Sequence, residues 1–260
     1  MKRIDYHTHT IFSIDAKSHP EEHIKEAINK GLEEICFTDH NDFMPNGLWV
    51  LDCDKYFETL LPLKEKYKKQ IKVKIGIEIG LDMLSKERTE QLVSQYPFDF
   101  VIGSIHTINL EDIALDEYFV GKTKQQIHTD YFNAMLECVK NFDCFDVLGH
   151  LDYVRRYGPY EDKSIDYDYY QDIIDEIFKI LISKDKGIEI NLSGFKFFDE
   201  GLPNYQQVKR FYDLGGRTIT MGTDSHIYTD VGLHLDKAIE MYKDIGFKDV
   251  TTFTQRTKEK

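Results

Sequence analysis

Histidines and acidic residues stand at the ends of several apolar segments in this sequence, and His7-Thr8-His9 is the first example. The residues before it alternate in polarity as in a short strand, so His7 and His9 would project to the same face. Two neutral imidazoles held side by side can bind one metal ion. A single pair of this kind is equally compatible with a structural role, so its meaning depends on the later segments.

Later apolar segments are also followed by a histidine or an acidic residue where each segment ends. Glu78 follows Ile75-Gly76-Ile77, and Asp224 follows Met221-Gly222-Thr223. Other segments end near four more histidines: His40, His106, His150 and His226. Six of the ten histidines would therefore meet on one face, which chance does not explain. The pattern predicts a metal site built from imidazoles and carboxylates.

Seven strands that alternate with helices would position these residues. Strands are predicted over residues 3–7, 34–38, 73–79, 98–104, 144–149, 187–191 and 218–222. Helices are predicted over residues 20–30, 56–69, 86–95, 124–141, 169–184, 205–213 and 233–245. Glycine follows several of these helices, as at Gly31 and Gly215, and is the usual helix stop.

This alternation is typical of right-handed parallel βαβ units and predicts an α/β fold. The sequence has no GxGxxG motif and no P-loop, so we favour a closed, TIM-like barrel of seven units, with an open doubly wound sheet as the alternative. In a parallel barrel the carboxyl ends of the strands share one face, where the active site lies. No linker divides the chain, so residues 1–260 are expected to form one domain.

The composition limits the functional classes. The chain has 33 basic and 46 acidic residues and a net charge of −13, which disfavours nucleic acid as a partner. No apolar run reaches the roughly 18 residues of a membrane span, and no secretory signal is visible. The four cysteines form no CxxC pair, so we expect reduced thiols and a cytoplasmic location. A small-molecule substrate fits this profile, and the oligomeric state stays open.

Six motifs resemble those of one known family: His7-Thr8-His9-Thr10, Thr38-Asp39-His40, Gly76-Ile77-Glu78, Gly103-Ser104-Ile105-His106, Gly149-His150 and Gly222-Thr223-Asp224-Ser225-His226. With Asp15, they are similar to the PHP (polymerase and histidinol phosphatase) superfamily over about residues 3–245. The stretches around His150 and Asn191 most resemble the histidinol-phosphate phosphatases of histidine biosynthesis. The resemblance implies a distorted (β/α)7 barrel and a metal-dependent phosphatase that hydrolyses L-histidinol phosphate, a phosphate monoester, to L-histidinol and phosphate.

The resemblance also implies three metal ions per chain, of zinc, iron or manganese, and ligand softness alone does not choose among them. The implied ligands form three sets: His7, His9, Glu78 and Asp224 for the first ion, Glu78, His106 and His150 for the second, and Asp15, His40 and His226 for the third. Glu78 would bridge two ions, because a carboxylate has two oxygens and a negative charge. Aspartate at position 15 favours the phosphatase branch, since some PHP members carry histidine there.

The hypothetical mechanism is attack on phosphorus by a metal-activated hydroxide that bridges the first two ions, while the third ion holds a phosphate oxygen. Glu78 is then catalytic as the shared ligand. Asp15, Asp224 or a metal-bound water would protonate the departing alkoxide, and the sequence leaves this choice open. No serine or cysteine stands in a nucleophile motif, which disfavours a covalent intermediate.

Basic and polar residues near the strand ends are candidates for binding the substrate. Arg155 or Arg156 is expected to contact phosphate. Further candidates follow other strands: Asp42, Asn191, Ser193 and Lys196. Lys196 stands where the family pattern leads us to expect arginine, and lysine lacks the bidentate fork that arginine offers to phosphate.

Two other functions remain as alternatives. A PHP phosphoesterase could act on nucleotides or nucleic-acid ends, although the acidic charge and the lack of a DNA-binding appendage count against it. The second alternative is a non-catalytic metal-binding PHP module. It is disfavoured because every ligand position matched to the family is retained.

Overall fold

Seven parallel strands form a barrel in the computed structural model, which describes residues 1–259. The strands pair side by side in chain order. They are β1 (Ile4–Thr8), β2 (Glu34–Phe37), β3 (Lys72–Gly80), β4 (Phe100–Ser104), β5 (Val147–Leu148), β6 (Gly187–Asn191) and β7 (Ile219–Gly222). Residue 260, which belongs to the predicted domain, lies outside the described residues.

The barrel is nearly closed where β1 meets the segment that follows β7. The amide of Asp224 donates to the carbonyl of His7 at 2.8 Å, and the amide of His9 donates to the carbonyl of Ser225 at 2.8 Å. The predicted barrel of seven strands is therefore confirmed, and the open doubly wound sheet is not the fold of residues 1–259. Because the paired strands are parallel, their carboxyl ends meet at one mouth.

Seven α-helices accompany the strands within residues 1–259. They are α1 (Pro20–Asn29), α2 (Cys53–Tyr67), α3 (Lys86–Gln95), α4 (Lys124–Asn141), α5 (Tyr167–Ser183), α6 (Tyr205–Asp213) and α7 (Leu235–Tyr242). Helix α5 packs one apolar face against the core. The buried residues of this face have helical spacing: Ile174, Ile177, Phe178 and Leu181. Over the same residues, no helix is long and apolar enough to span a bilayer.

The fifth strand is shorter than predicted. Residues 144–149 were expected to be extended throughout, but only Val147–Leu148 form ladder bonds. The carboxylate of Asp146 accepts from the amide of Val101 at 2.9 Å, so a side chain replaces the strand carbonyl there. Arg256 donates to the same carboxylate at 2.9 Å from an unpredicted hairpin, Phe253–Thr254 with Thr257–Lys258. A second hairpin, Thr107–Ile108 with Glu111–Asp112, was also not predicted.

The second strand is interrupted just before the mouth. β2 ends at Phe37, and a short segment, His40–Asn41, resumes parallel pairing with β3 opposite Glu78. In the gap, the carboxylate of Asp39 turns inward and accepts from the amide of Thr10 at 2.6 Å. This bond ties the loop after β1 to the end of β2. The interruption therefore places His40 beside Glu78 at the mouth.

Candidate metal centre

The side chains predicted to bind metal lie together at the mouth of the barrel. Groups of three whose ligand atoms lie within 4.8 Å of one another are His7, His9 and Asp224, then Glu78, His106 and His150, then His9, His40 and His226, and finally His40, Asp42 and His106. Asp15 lies at the outer edge of this cluster with 41% of its side chain exposed. The ends of every strand except β6 thus supply one cluster of imidazoles and carboxylates.

Glu78 occupies the centre of the cluster. Its Oε2 lies 3.2 Å from His7 Nε2 and 2.9 Å from His40 Nδ1. Its Oε1 lies 3.0 Å from His150 Nε2 and accepts from the hydroxyl of Ser104 at 2.6 Å. Burial raises the pKa of this carboxyl, but the neighbouring histidines outweigh burial and hold the pKa well below its usual value. Glu78 is therefore ionised, and its two oxygens face different histidines. It is placed to bind metal in both the first ligand set, with His7, and the second, with His150.

The two oxygens of Asp224 face different partners. Oδ1 lies 3.3 Å from His9 Nε2 and 3.8 Å from His7 Nε2. Oδ2 accepts from Arg156 at 3.0 Å, with Asn191 also in reach at 3.4 Å. The backbone of Asp224 has a φ of +53°, a left-handed conformation that aspartate tolerates better than most residues. One oxygen is therefore directed at the imidazoles while the other is held by donors.

The third predicted ligand set is assembled around His226. Its Nε2 lies 3.0 Å from Asp15 Oδ2, and its Nδ1 donates to the carbonyl of Asp224 at 3.0 Å. His40 Nε2 lies 3.9 Å from the same oxygen of Asp15. The rings of His40 and His226 stack on His9 at centroid distances of 4.1 and 4.3 Å. Burial would raise the pKa of Asp15, but His226 and His40 lower it to about 2.

Several buried polar atoms in the cluster have no hydrogen-bond partner among residues 1–259: His7 Nε2, His9 Nε2, His40 Nδ1 and Glu78 Oε2. Such atoms are rare in folded proteins unless a ligand or ion satisfies them. Here imidazole nitrogens and carboxylate oxygens converge without the geometry of hydrogen bonds between them, and such a mixed set of nitrogen and oxygen ligands suits a divalent cation. The residues present therefore fit the metal ions that the sequence implies.

Three of the predicted substrate-binding residues join the cluster. Arg156 extends from the segment after β5 and contacts Ser193 as well as Asp224. Asn191 ends β6, and its amide nitrogen lies 3.2 Å from Glu189 and 3.4 Å from Asp224. The Ser193 hydroxyl lies 3.4 Å from Asp224 Oδ2. All three side chains are thus grouped on one oxygen of Asp224.

The other three predicted substrate-binding residues have different surroundings. Arg155 points away from the cluster and donates to Asp152 at 3.0 Å and to Glu200 at 3.2 Å. Lys196 pairs with Asp230 at 2.6 Å on the exposed rim. Asp42 is buried beneath the cluster and accepts from His106 Nδ1 at 3.0 Å.

Sequence reasoning missed one acidic side chain in the site, Glu189 in the middle of β6. It is 1% exposed, and its Oε1 lies 2.5 Å from His7 Nδ1. The available signal was Ile188-Glu189-Ile190, in which a carboxylate interrupts an apolar strand of a barrel. Buried strands in parallel barrels rarely carry an unpaired charge, so such a residue indicates an inward-facing partner.

Comparison with known proteins agrees with this geometry. The family model described as the PHP domain matches residues 5–193. The histidinol-phosphatase of Lactococcus lactis subsp. lactis is 41% identical over 98% of this chain and 95% of its own length. A probable histidinol-phosphatase of Clostridium acetobutylicum is 36% identical over 95% of each chain.

The fold comparison gives the same relative. The crystal structure of histidinol phosphate phosphatase from Lactococcus lactis, complexed with zinc, L-histidinol and phosphate, has a TM-score of 0.93 to this chain. The match covers 100% of this chain and 99% of that one at 41% identity. The matched sequence, the shared barrel and the cluster at its mouth together show that the chain belongs to the PHP domain family.

Proposed function

We propose that this protein is a histidinol-phosphatase that hydrolyses L-histidinol phosphate to L-histidinol and phosphate with the help of bound metal ions. The observation that carries the proposal is the mouth cluster, in which unpartnered imidazole and carboxylate atoms converge on Glu78. The relative from Lactococcus lactis, 41% identical, binds zinc, L-histidinol and phosphate in its crystal structure. Its similarity over the whole length supports the same substrate here.

Three metal ions of zinc, iron or manganese are proposed at the mouth. The proposed ligands are His7, His9, Glu78 and Asp224 for one ion, Glu78, His106 and His150 for another, and Asp15, His40 and His226 for the third. When bound, such ions supply positive charge against the phosphate dianion and Lewis acidity that activates water. The chain's contribution is to hold these imidazoles and carboxylates close together at the mouth of the barrel.

Arg156 is the proposed phosphate-binding arginine. Its guanidinium reaches the cluster through Nη2, which donates to Asp224 at 3.0 Å, and its buried Nε has no hydrogen-bond partner among residues 1–259. A planar guanidinium can donate two parallel hydrogen bonds to a phosphoryl group. Arg155 pairs with Asp152 and Glu200 and Lys196 pairs with Asp230, all outside the cluster, whereas the carboxylate partner of Arg156 is Asp224 within it. Asp42 is assigned a different role, because it fixes the ring of His106.

Asp15 is the proposed route for the proton that the leaving alkoxide needs. Both oxygens of Asp224 are occupied, by imidazoles on one side and donors on the other. Asp15 is the more exposed carboxylate and is accessible to solvent from the mouth. His226 and His40 hold the pKa of Asp15 below its usual value, so the carboxylate is ionised and would have to take this proton from water before it passes to the alkoxide.

Residues 1–260 are proposed to form one PHP-type domain. The four cysteines are free, which agrees with a reducing compartment, and we propose a cytoplasmic location. The net charge of −13 agrees with a small-molecule substrate in place of nucleic acid.

The test of this function is a comparison of substrates with the metal-loaded protein. L-histidinol phosphate, 5′-mononucleotides and p-nitrophenyl phosphate are compared by phosphate release, with kcat/KM as the readout. We expect the highest kcat/KM for L-histidinol phosphate. A higher value for mononucleotides would favour a nucleotide phosphoesterase, and no turnover of any ester at full metal loading would favour an inert metal-binding module.

Substitution of the two arginines tests the phosphate assignment. Arg156→Lys is expected to lower kcat/KM for L-histidinol phosphate by about 10- to 100-fold, since hydrogen bonds to charged groups contribute about 1.5–3 kcal/mol. Arg155→Lys is the matched control variant. Its main expected effect is a lower unfolding temperature and not a lower kcat/KM, because Arg155 links Asp152 to Glu200. If Arg155→Lys lost more kcat/KM than Arg156→Lys, the assignment would be reversed.

A further inference from the structure

Glu189 is a buried carboxylate at the mouth that, like Asp42, belongs to none of the proposed metal sets. It lies on β6, and His7 lies on β1, with β7 between these strands. Its Oε1 lies 2.5 Å from His7 Nδ1. Its Oε2 accepts from the backbone amide of His150 at 2.9 Å and from the side chain of Asn191 at 3.2 Å. Both oxygens are therefore engaged by donors.

The barrel has a gap that lets this side chain cross to β1. A Cβ atom on Gly222 would overlap the Cβ of His7 and would lie 3.0 Å from Glu189 Oε1. Glycine at this position of β7 is thus required by the close approach of two inward side chains from β6 and β1. The contact between Glu189 and His7 is built into the packing of three strands.

The contact decides which nitrogen of His7 is free. An ionised carboxylate only accepts hydrogen bonds, so Nδ1 of His7 must carry the proton that is donated to Glu189. Nε2 is then left with its lone pair, and it faces Glu78 at 3.2 Å and Asp224 at 3.8 Å. A carboxylate behind a metal-binding histidine fixes the ring orientation and raises its basicity.

We propose that Glu189 is a positioning residue that presents His7 Nε2 to the metal centre and fixes His150 relative to it. His7 belongs to the first proposed ligand set and His150 to the second. One side chain therefore sets the relative positions of two histidines from different sets, which meet at Glu78. The proposal rests on the metal site of the proposed function.

Glu189→Gln is the variant that tests this role. A glutamine has one acceptor oxygen and one NH2 group, so it cannot accept from both His7 Nδ1 and the amide of His150. We expect zinc affinity, measured by competition with a chromophoric chelator, to fall about 10- to 100-fold. Glu34→Gln is the matched control. Glu34 is a barrel carboxylate that is 2% exposed and accepts from Tyr6 at 2.8 Å, but it lies at the amino end of β2.

Two readouts separate positioning from a general loss of stability. Glu34→Gln is expected to lower the unfolding temperature while it leaves zinc affinity within about twofold of wild type. In the zinc-loaded wild-type protein, long-range 1H–15N NMR is expected to show a proton on Nδ1 of His7 and none on Nε2. The NMR measurement needs no variant, so it tests the proposal even if Glu189→Gln does not fold.

The outcomes distinguish this proposal from the proposed function. Unchanged zinc affinity in Glu189→Gln, or a His7 without a proton on Nδ1, would overturn the positioning role. Failure of the proposed function would be seen differently, as a wild-type protein that binds zinc as described but does not hydrolyse L-histidinol phosphate. Weakened zinc binding in Glu189→Gln with the His7 tautomer as stated supports the positioning role in either case.

Discussion

Glu78→Gln is expected to reduce kcat for L-histidinol phosphate by about 10³-fold or more. Charge stabilisation by a metal ion is worth several kcal/mol, and each 1.36 kcal/mol is a factor of ten in rate. The glutamine side chain has the shape of glutamate but is neutral, so it cannot balance two cations between His7 and His150. Because Glu78 is shared by two proposed ligand sets, a single substitution weakens both.

The measurement combines steady-state kinetics with elemental analysis of the purified protein. Bound metal per chain is expected to fall in Glu78→Gln, while the Glu34→Gln control keeps both its metal and its turnover. Near-normal kcat with full metal content in Glu78→Gln would show that this carboxylate is not a shared ligand. Fewer than three ions in fully loaded wild-type protein would contradict the three-ion proposal. The ligands of the ions that are found would then have to be assigned again.

Removal of the metal with a chelator is expected to abolish turnover and to lower the unfolding temperature by roughly 8–16 °C. A ligand present at about 1,000 times its dissociation constant stabilises the folded state by about 4 kcal/mol. For a chain of this size each kcal/mol corresponds to roughly 2–4 °C. The structural reason is the set of buried lone pairs that face one another, which have no hydrogen-bond partner among residues 1–259.

The check is thermal unfolding of loaded, stripped and reloaded protein, followed by assays of each. Zinc added back is expected to restore both the unfolding temperature and the turnover. The gap between loaded and stripped protein should be smaller in Glu78→Gln, because fewer ligands are available. Stripped protein that keeps its turnover would contradict a metal-dependent reaction.

The barrel and its mouth were predictable because strand ends leave a strong sequence pattern. A histidine or carboxylate after an apolar segment recurs from His7 to Asp224, and the parallel topology brings such residues to one face. The ends of elements were less predictable, because they depend on side-chain bonds such as that between Asp146 and Val101. Asp146 pairs with Arg256, which is far away in the sequence, so no local sequence pattern could predict this ion pair.

The substrate side of the site was harder to predict than the metal side. Arg155 and Arg156 are adjacent in a 3-10 segment, Tyr153–Arg156, so no strand or helix period tells which one faces the mouth. Tertiary contacts decide the matter, since Asp152 and Glu200 retain Arg155. Glu189 escaped notice for another reason. A single polar residue within a strand looks like part of the usual alternation of apolar and polar residues, which would place it on the outer face. Only the closed barrel shows that Glu189 points inward.

His9 and Asp224 serve the barrel and its mouth with different atoms. Their backbone amides make the hydrogen bonds that join the first strand to the segment after the last one, while their side chains face the cluster. Metal ions bound to these side chains would therefore also stabilise the pairing of β1 with the segment after β7. Local opening of this pairing would require release of the ions. Hydrogen exchange at these two amides is consequently a gauge of metal occupancy that needs no substrate.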